Sequence, residues 1–332
     1  MHRHPFLVSW VRSSSRAAAI AIACTTALGC SAPAHEGDAA TDDEALRTAP
    51  FVDAEETLVG DDDVSRWVAM KAALAQSFAA ACPPGRCAGR FARAAPIRFA
   101  CSAARATGAL AECAWILGES TASVDRAMGG ITVRTRGAAC AVPMATTARA
   151  LADALTAPDA TPAIARRLPG AQRSFLDTLG RCLGASDAPA GAREAAAGRH
   201  VDLAAALADD ATRREWQAVV AALDEDFDDV CGDTFCEGDD GDIASLGIAC
   251  AVERSSGAVD GCTWTFAAAA TRIAPRSGDV QAKTKFFRCP IAVHATAADL
   301  VSALAAPGPT ARIHRPLPGG APALYDQLVG CL

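Results

Sequence analysis

The sequence predicts an α+β protein made of two tandem homologous domains, each a helix, a three-stranded antiparallel sheet and two further helices, stabilised by disulfides. Three observations carry this. Cys82, Cys87, Cys101, Cys113, Cys140 and Cys182 recur 149 residues later as Cys231, Cys236, Cys250, Cys262, Cys289 and Cys331, so the spacings 5, 14, 12, 27 and 42 match without a gap. Other residues agree at the same offset: Trp67 with Trp216, Leu74 with Leu223, Phe78 with Phe227, Trp115 with Trp264, and Leu168-Pro169-Gly170 with Leu317-Pro318-Gly319. Such a match is an internal duplication. Finally, within each copy the apolar period changes from the three-four spacing of a helix to alternation and back.

The chain has 332 residues, and the duplication sets domain 1 at 64–183 and domain 2 at 213–332, each near the usual size of a domain. A hydrophobic fraction of 51% with 21% charged residues is a globular composition. Aromatics are only 5%, so the cores are built from small side chains and gain from crosslinks. Of 14 cysteines, Cys24 and Cys30 lie near the N-terminus and six fall in each repeat, an even set that reads as disulfides in an exported chain. Metal binding is the competing reading. It lacks support, because no C-x-x-C pair occurs, repeat 1 has no histidine, and repeat 2 has only His294 and His314.

Before the repeats come Arg3, Arg12 and Arg16, then an apolar run from 17 to 28, too short to span a bilayer, then Gly29-Cys30. Ala27-Leu28-Gly29-Cys30 resembles the lipobox of bacterial lipoproteins, although that family favours Leu where Ala27 stands. The resemblance implies a signal peptide over 1–29, lipid attachment at Cys30, and a membrane partner through that lipid. With Ser31 following, it further implies outer-membrane sorting in a proteobacterial host, facing the periplasm or the cell surface. Ala21-Ile22-Ala23-Cys24 is the alternative site, with an apolar core of about seven residues, at the lower limit for a signal. No family resemblance is found for the repeats themselves.

From 30 to 63 the chain is acidic and without apolar period, ending in Asp61-Asp62-Asp63, and reads as a flexible tether. As a coil it would hold domain 1 roughly 30 Å from the membrane. Domain 1 then opens with a helix on Val64, Trp67, Val68, Lys71, Leu74 and Phe78, which Trp216, Val219, Val220, Leu223 and Phe227 repeat. Both tryptophans lie on the apolar stripe and are expected in the core. Pro83-Pro84-Gly85 stops the first helix.

Next, Ile97, Phe99, Cys101 and Ala103 share one strand face, and Cys113, Trp115 and Leu117 another, around the turn at Gly108. Repeat 2 answers with Leu246, Ile248, Cys250 and Val252, then Gly257, then Cys262, Trp264 and Phe266. If Gly108 takes the left-handed position of a three-residue loop, Arg105 faces Ala109 and Cys101 faces Cys113, at a hydrogen-bonded site where Cα atoms are the farther apart. Cys101–Cys113 and Cys250–Cys262 are therefore leading candidates among the 15 pairings that six cysteines allow. A third strand runs through Thr135 and Cys140 to Met144, matched by Thr284 and Cys289 to Val293. Two helices close each unit, the last aligning Phe175, Leu179 and Cys182 or Leu324, Leu328 and Cys331. Residues 184–212 form the linker, with a short helix expected over 201–207.

No catalytic constellation emerges. His294 and His314 have Asp299 and Asp326 as conceivable partners, but both histidines are alanines in repeat 1, at Ala145 and Ala165. The acidic run Asp224, Glu225, Asp226, Asp228, Asp229, Asp233, Glu237, Asp239, Asp240 and Asp242 suggests calcium. It fails the EF-hand pattern, because Phe235 and Ala244 occupy ligand places. The expectation is thus a non-enzymatic lipoprotein of the cell envelope carrying a tandem binding or structural module, with no metal, no cofactor and no nucleic-acid partner, and room for an envelope protein partner. The alternative is an envelope hydrolase whose site the sequence hides. Domain 1 carries 15 basic against 6 acidic residues and domain 2 carries 10 against 16. That divergence, with Arg90 and Arg93 standing where domain 2 has Asp239 and Asp242, predicts that the domains pack through complementary charge.

Overall fold

The computed structural model describes residues 49–81, 94–158, 161–171, 173–183, 198–231, 242–308 and 310–332, all within one compact unit that begins at Leu46. Repeat 1 supplies a sheet of β1 (Phe51–Asp53), β2 (Ala94–Ala104), β3 (Leu110–Val124) and β4 (Ile131–Pro143), all antiparallel and in that spatial order. Repeat 2 supplies β5 (His200–Asp202), β6 (Ile243–Glu253), β7 (Val259–Ile273) and β8 (Val280–Ile291) in the same arrangement. The helices are α1 (Asp61–Ala81), α2 (Ala148–Thr156), α3 (Phe175–Cys182), α4 (Leu203–Ala206), α5 (Asp210–Val230), α6 (Ala297–Ala305) and α7 (Leu324–Val329).

Each sheet thus has four strands where alternation predicts three. The additional strand precedes the first long helix, in the segments read as tether and linker. Phe51 pairs with Ala104, Val52 with Ala103 and Asp53 with Ser102, and His200 to Asp202 pair in the same way with Glu253 to Ala251. Three residues are too few to show a period. What recruits them is the open edge of β2 or β6 together with burial of Val52 or Val201. An aspartate ends each strand by accepting a backbone bond two residues on, Asp53 from Glu55 and Asp202 from Ala204, both at 2.9 Å. The helical turn after β5 is therefore shorter than expected, covering 203–206 rather than 201–207.

α1 buries Trp67, Met70, Leu74 and Phe78, and α5 buries Trp216, Val219, Leu223 and Phe227. Val64 and Val68 of the expected stripe are exposed, because Met70 rather than either valine completes the three-four row against the sheet. On the sheets, Phe99, Cys101, Cys113, Trp115 and Leu117 meet the helices of repeat 1, and Cys250, Cys262, Trp264 and Phe266 those of repeat 2. Phe99 and Trp115 both set their rings edge-on to Phe175, at 5.4 and 5.8 Å. Ile97 leaves this face. The register shifts between Pro96 and Arg98, and the irregularity turns Ile97 to the opposite side, against Ala114 and Ile116.

That opposite side is where the repeats meet. Ala114 and Ile116 of β3 are fully buried together with Ala269 of β7, with Ile97, Val280 and Ala282 packed around them. A Cβ on Gly118 would lie 3.1 Å from those of Ala267 and from Leu246, so small residues let the sheets approach closely. Gly118 and Ala267 are duplication equivalents, so a residue meets its own counterpart, as at the axis of a two-fold dimer. The layers run helices, sheet, sheet, helices. The repeats pack together as expected, and among the described residues this apolar cluster adds to the contact a component that charge alone does not predict, beside polar bonds such as Ser120 Oγ to the Leu246 carbonyl at 2.8 Å. Of the charged positions singled out, Arg90, Arg93 and Asp239 lie outside the described residues, and Asp242 reaches Arg98 across the junction at 2.6 Å.

Four disulfides lie among the described residues: Cys101–Cys113, Cys140–Cys182, Cys250–Cys262 and Cys289–Cys331, all within repeats and at equivalent places. Cys231 is also disulfide-bonded, while Cys24, Cys30, Cys82, Cys87 and Cys236 lie outside the described residues. The hairpin pairing is reached by a different route from the expected one. Ala104 and Ala109 close a four-residue loop, 105–108, with Gly108 at φ +66° inside it, and the pair beyond is Ala103 with Leu110. A bulge at Ala111 then restores the register, so Cys101 still faces Cys113. Their Cα atoms are 3.9 Å apart, which belongs to the narrow, non-hydrogen-bonded kind of site, not the wide one.

Candidate binding cleft

The residues singled out for chemistry do not converge. His314 lies against Tyr325 with ring centroids 4.6 Å apart and the planes tilted by 44°, both histidines are exposed, and neither forms an ion pair with Asp299 or Asp326 among the described residues. Asp299 is instead engaged with Thr296 at the start of α6. Cys30 lies outside the described residues, as do Asp233, Glu237, Asp239 and Asp240 of the acidic run. The carboxylates on α5 point to separate tasks: Asp226 accepts from the Arg312 backbone at 2.7 Å, while Asp224 lies against Ser245. Among the described residues no three of His, Cys, Asp and Glu gather as a metal site.

Two recesses lie among the described residues. The smaller, about 260 Å³, lies between α1 and the sheet of repeat 1 and is lined by Lys71, Leu74, Phe99, Trp115, Arg98 and, from repeat 2, Asp242. Of these, Lys71 donates from Nζ to Glu55 at 2.6 Å, and Glu55 also accepts from Trp67 Nε1 at 3.1 Å. Burial pushes the Glu55 carboxyl up, but the Lys71 hydrogen bond and charge outweigh it and hold the group below its usual range. At equivalent places repeat 2 replaces Ala75 by Asp224 and Pro96 by Ser245, whose hydroxyl accepts from Trp264 Nε1 at 2.8 Å. Desolvation drives Asp224 up to about 6, helped by Asp228 and Glu225 and opposed by Ser245.

The larger recess, about 640 Å³, is an open cleft between the end of edge strand β4 and helix α3. Buried Val142 and Leu168 form its floor, and Arg173 and Arg181 stand exposed beside it. Cys140–Cys182 fixes the spacing of its walls by tying β4 to the last residue of α3. The capping box at Ser174 starts that helix, with the Asp177 carboxylate accepting from the Ser174 backbone at 3.0 Å and hydroxyl at 2.9 Å. Those bonds, backbone first, hold Asp177 below its usual range, and the Arg181 and Arg173 charges act in the same direction. Its carboxylate is thus already committed. Arg181 donates only from Nε, to the Asp177 carbonyl at 3.4 Å, and neither guanidinium forms an ion pair among the described residues.

In repeat 2 a side chain spans the equivalent place between strand end and helix. Gln327, equivalent to Thr178, accepts from the Ala292 backbone at 2.7 Å and donates to the carbonyls of Ala292 at 3.4 Å and Pro322 at 3.0 Å. Ala292 is Pro143 in repeat 1, which has no N–H to offer such a side chain, and Arg173 and Arg181 correspond to Pro322 and Gly330. Sequence comparison of the two copies displays these substitutions, but only the strand–helix geometry shows that they surround one cavity. Comparison of the chain with family models, curated proteins and solved structures finds no match.

Proposed function

We propose that this protein is an exported lipoprotein, anchored through Cys30, whose folded part is a non-enzymatic binding or structural module of the cell envelope. The observation that carries this reading is the placement of disulfides. Cys101–Cys113 and Cys140–Cys182 in repeat 1 have counterparts at equivalent positions in repeat 2, and such a framework persists in oxidising compartments. The charged, apolar and small-residue order of residues 1–30 agrees with export, and a tether from Ser31 onward would place the module away from the membrane surface. No helix among the described residues is long and apolar enough to cross a membrane. One lipid chain binds a bilayer only weakly, whereas two or more hold firmly. Mass spectrometry of the mature N-terminus tests the reading, with a lipid-modified Cys30 expected and Cys30→Ser released from the membrane fraction. An unmodified terminus beginning at another residue would overturn it.

A further inference from the structure

We infer that the cleft between β4 and α3 binds a small amphipathic carboxylate, its anionic end held by Arg173 and Arg181 and its apolar body lying on Val142 and Leu168. The inference deepens the binding-module reading and is independent of the lipid anchor. Three observations support it. The volume, about 640 Å³, falls within the range of small-molecule sites, which combine an apolar floor with a few placed polar groups. The two guanidiniums beside it form no ion pair among the described residues, the nearby Asp177 carboxylate being hydrogen-bonded to Ser174, and guanidinium is the side chain best suited to a carboxylate, through two parallel N–H···O bonds.

The third observation is the internal control that the duplication provides. Repeat 2 fills this place with its own Gln327, whose amide satisfies both the N–H and the C=O of Ala292. Repeat 1 has Thr178 in place of that glutamine, Pro143 without a strand N–H in place of Ala292, and arginines in place of Pro322 and Gly330. Each change alone is unremarkable for a surface position. Together they open a recess and give it a positive rim, while the floor stays apolar as Val142 and Leu168 against Ile291 and Leu317. A neutral ligand would leave the arginines without function, and a large polyanion would not use the buried floor.

The carboxylate has two natural sources, a short aliphatic acid or the C-terminus of a peptide, and the test separates them. Hexanoate and N-acetyl-trialanine, with hexanamide and the trialanine amide as neutral controls, are titrated into purified full-length protein by calorimetry. Saturable binding of at least one carboxylate is expected at about millimolar Kd or tighter, with its amide at least about tenfold weaker. Arg173→Ala and Arg181→Ala should each weaken it by about tenfold, and Thr178→Gln, which copies the plug of repeat 2, should abolish it. Thermal melts of each variant establish that the fold is retained, and Arg173, being exposed, gives a variant that does not depend on repacking. Binding of hexanoate alone assigns an aliphatic acid, and binding of the peptide alone assigns a chain terminus. Failure of both carboxylates to saturate, equal binding of the amides, or binding unchanged by Arg173→Ala and Thr178→Gln would overturn the inference while leaving the lipoprotein reading untouched.

Discussion

The backbone N–H of His200 bonds the carbonyl of Arg126 at 3.0 Å, carrying the short edge strand of repeat 2 onto the turn between β3 and β4 of repeat 1. The duplication returns the contact in the other direction: Phe51, the equivalent of His200, bonds Pro275, the equivalent of Arg126, at 3.3 Å. The rings follow the backbone, His200 lying over Gly129 and Phe51 over Gly278. This exchange is what an isologous dimer interface looks like once its two subunits are joined in one chain.

Gly129 and Gly278 therefore carry a shared burden. Their φ values are +74° and +77°, and a Cβ there would approach the opposing side chains to 2.8 Å. Gly129→Ala and Gly278→Ala should each lower stability by about 2–4 kcal/mol, from left-handed strain plus overpacking. Chemical denaturation of the two variants checks this, and a near-zero effect at either position would show that the turn does not bear on the junction.

Because the sheets meet through apolar faces, salt should not part them. Ile116→Ala is expected to cost about 2–4 kcal/mol, as for a fully buried aliphatic side chain. Arg98→Ala, removing a half-exposed ion pair with Asp242, should cost under about 1 kcal/mol. Small-angle scattering of the wild type between low and high salt should give one radius of gyration. Expansion at high salt would favour the charge-based account.

The bridges should differ in weight. Cys140–Cys182 closes a 42-residue separation and Cys101–Cys113 one of 12. Loop entropy alone then assigns about 4 kcal/mol to the first and about 3 kcal/mol to the second. Paired cysteine-to-serine variants, measured by urea unfolding, should rank in that order in both repeats.

Asp224 makes stability depend on pH. Desolvation, the largest cause, raises its carboxyl to about 6 from an ordinary 3.8, so the folded state holds the proton more tightly than the unfolded chain. The associated stabilisation is complete below pH 4 and is lost as pH rises through about 6. Asp228 is shifted in the same direction, but its side chain is exposed and solvent screens its share. Asp224→Asn should accordingly stabilise by about 1–3 kcal/mol at neutral pH and by less than about 1 kcal/mol near pH 4. A pH-independent difference between variant and wild type would assign the effect to packing instead of ionisation.

Much of the architecture is written locally and twice, which is why the chain alone determined it. The repeated spacing from Cys101 to Cys113 and from Cys140 to Cys182, the helix stripe from Trp67 to Phe78, and the alternation through Trp115 each depend on neighbours along one element, and each has a second copy as a check. The tertiary structure decided what depends on distant partners. Phe51–Asp53 becomes a strand only because β2 offers it an edge, and Ile97 changes face only because the register slips beside it. The four-residue loop and the Ala111 bulge cancel, so the correct cysteine pair emerges at a site of the opposite kind to the one loop counting indicates. The cleft belongs to this second group as well. Thr178, Pro143 and Arg173 are unremarkable in sequence, and they acquire meaning when a strand end and a helix, held together by Cys140–Cys182, leave open a space that Gln327 fills in the other repeat.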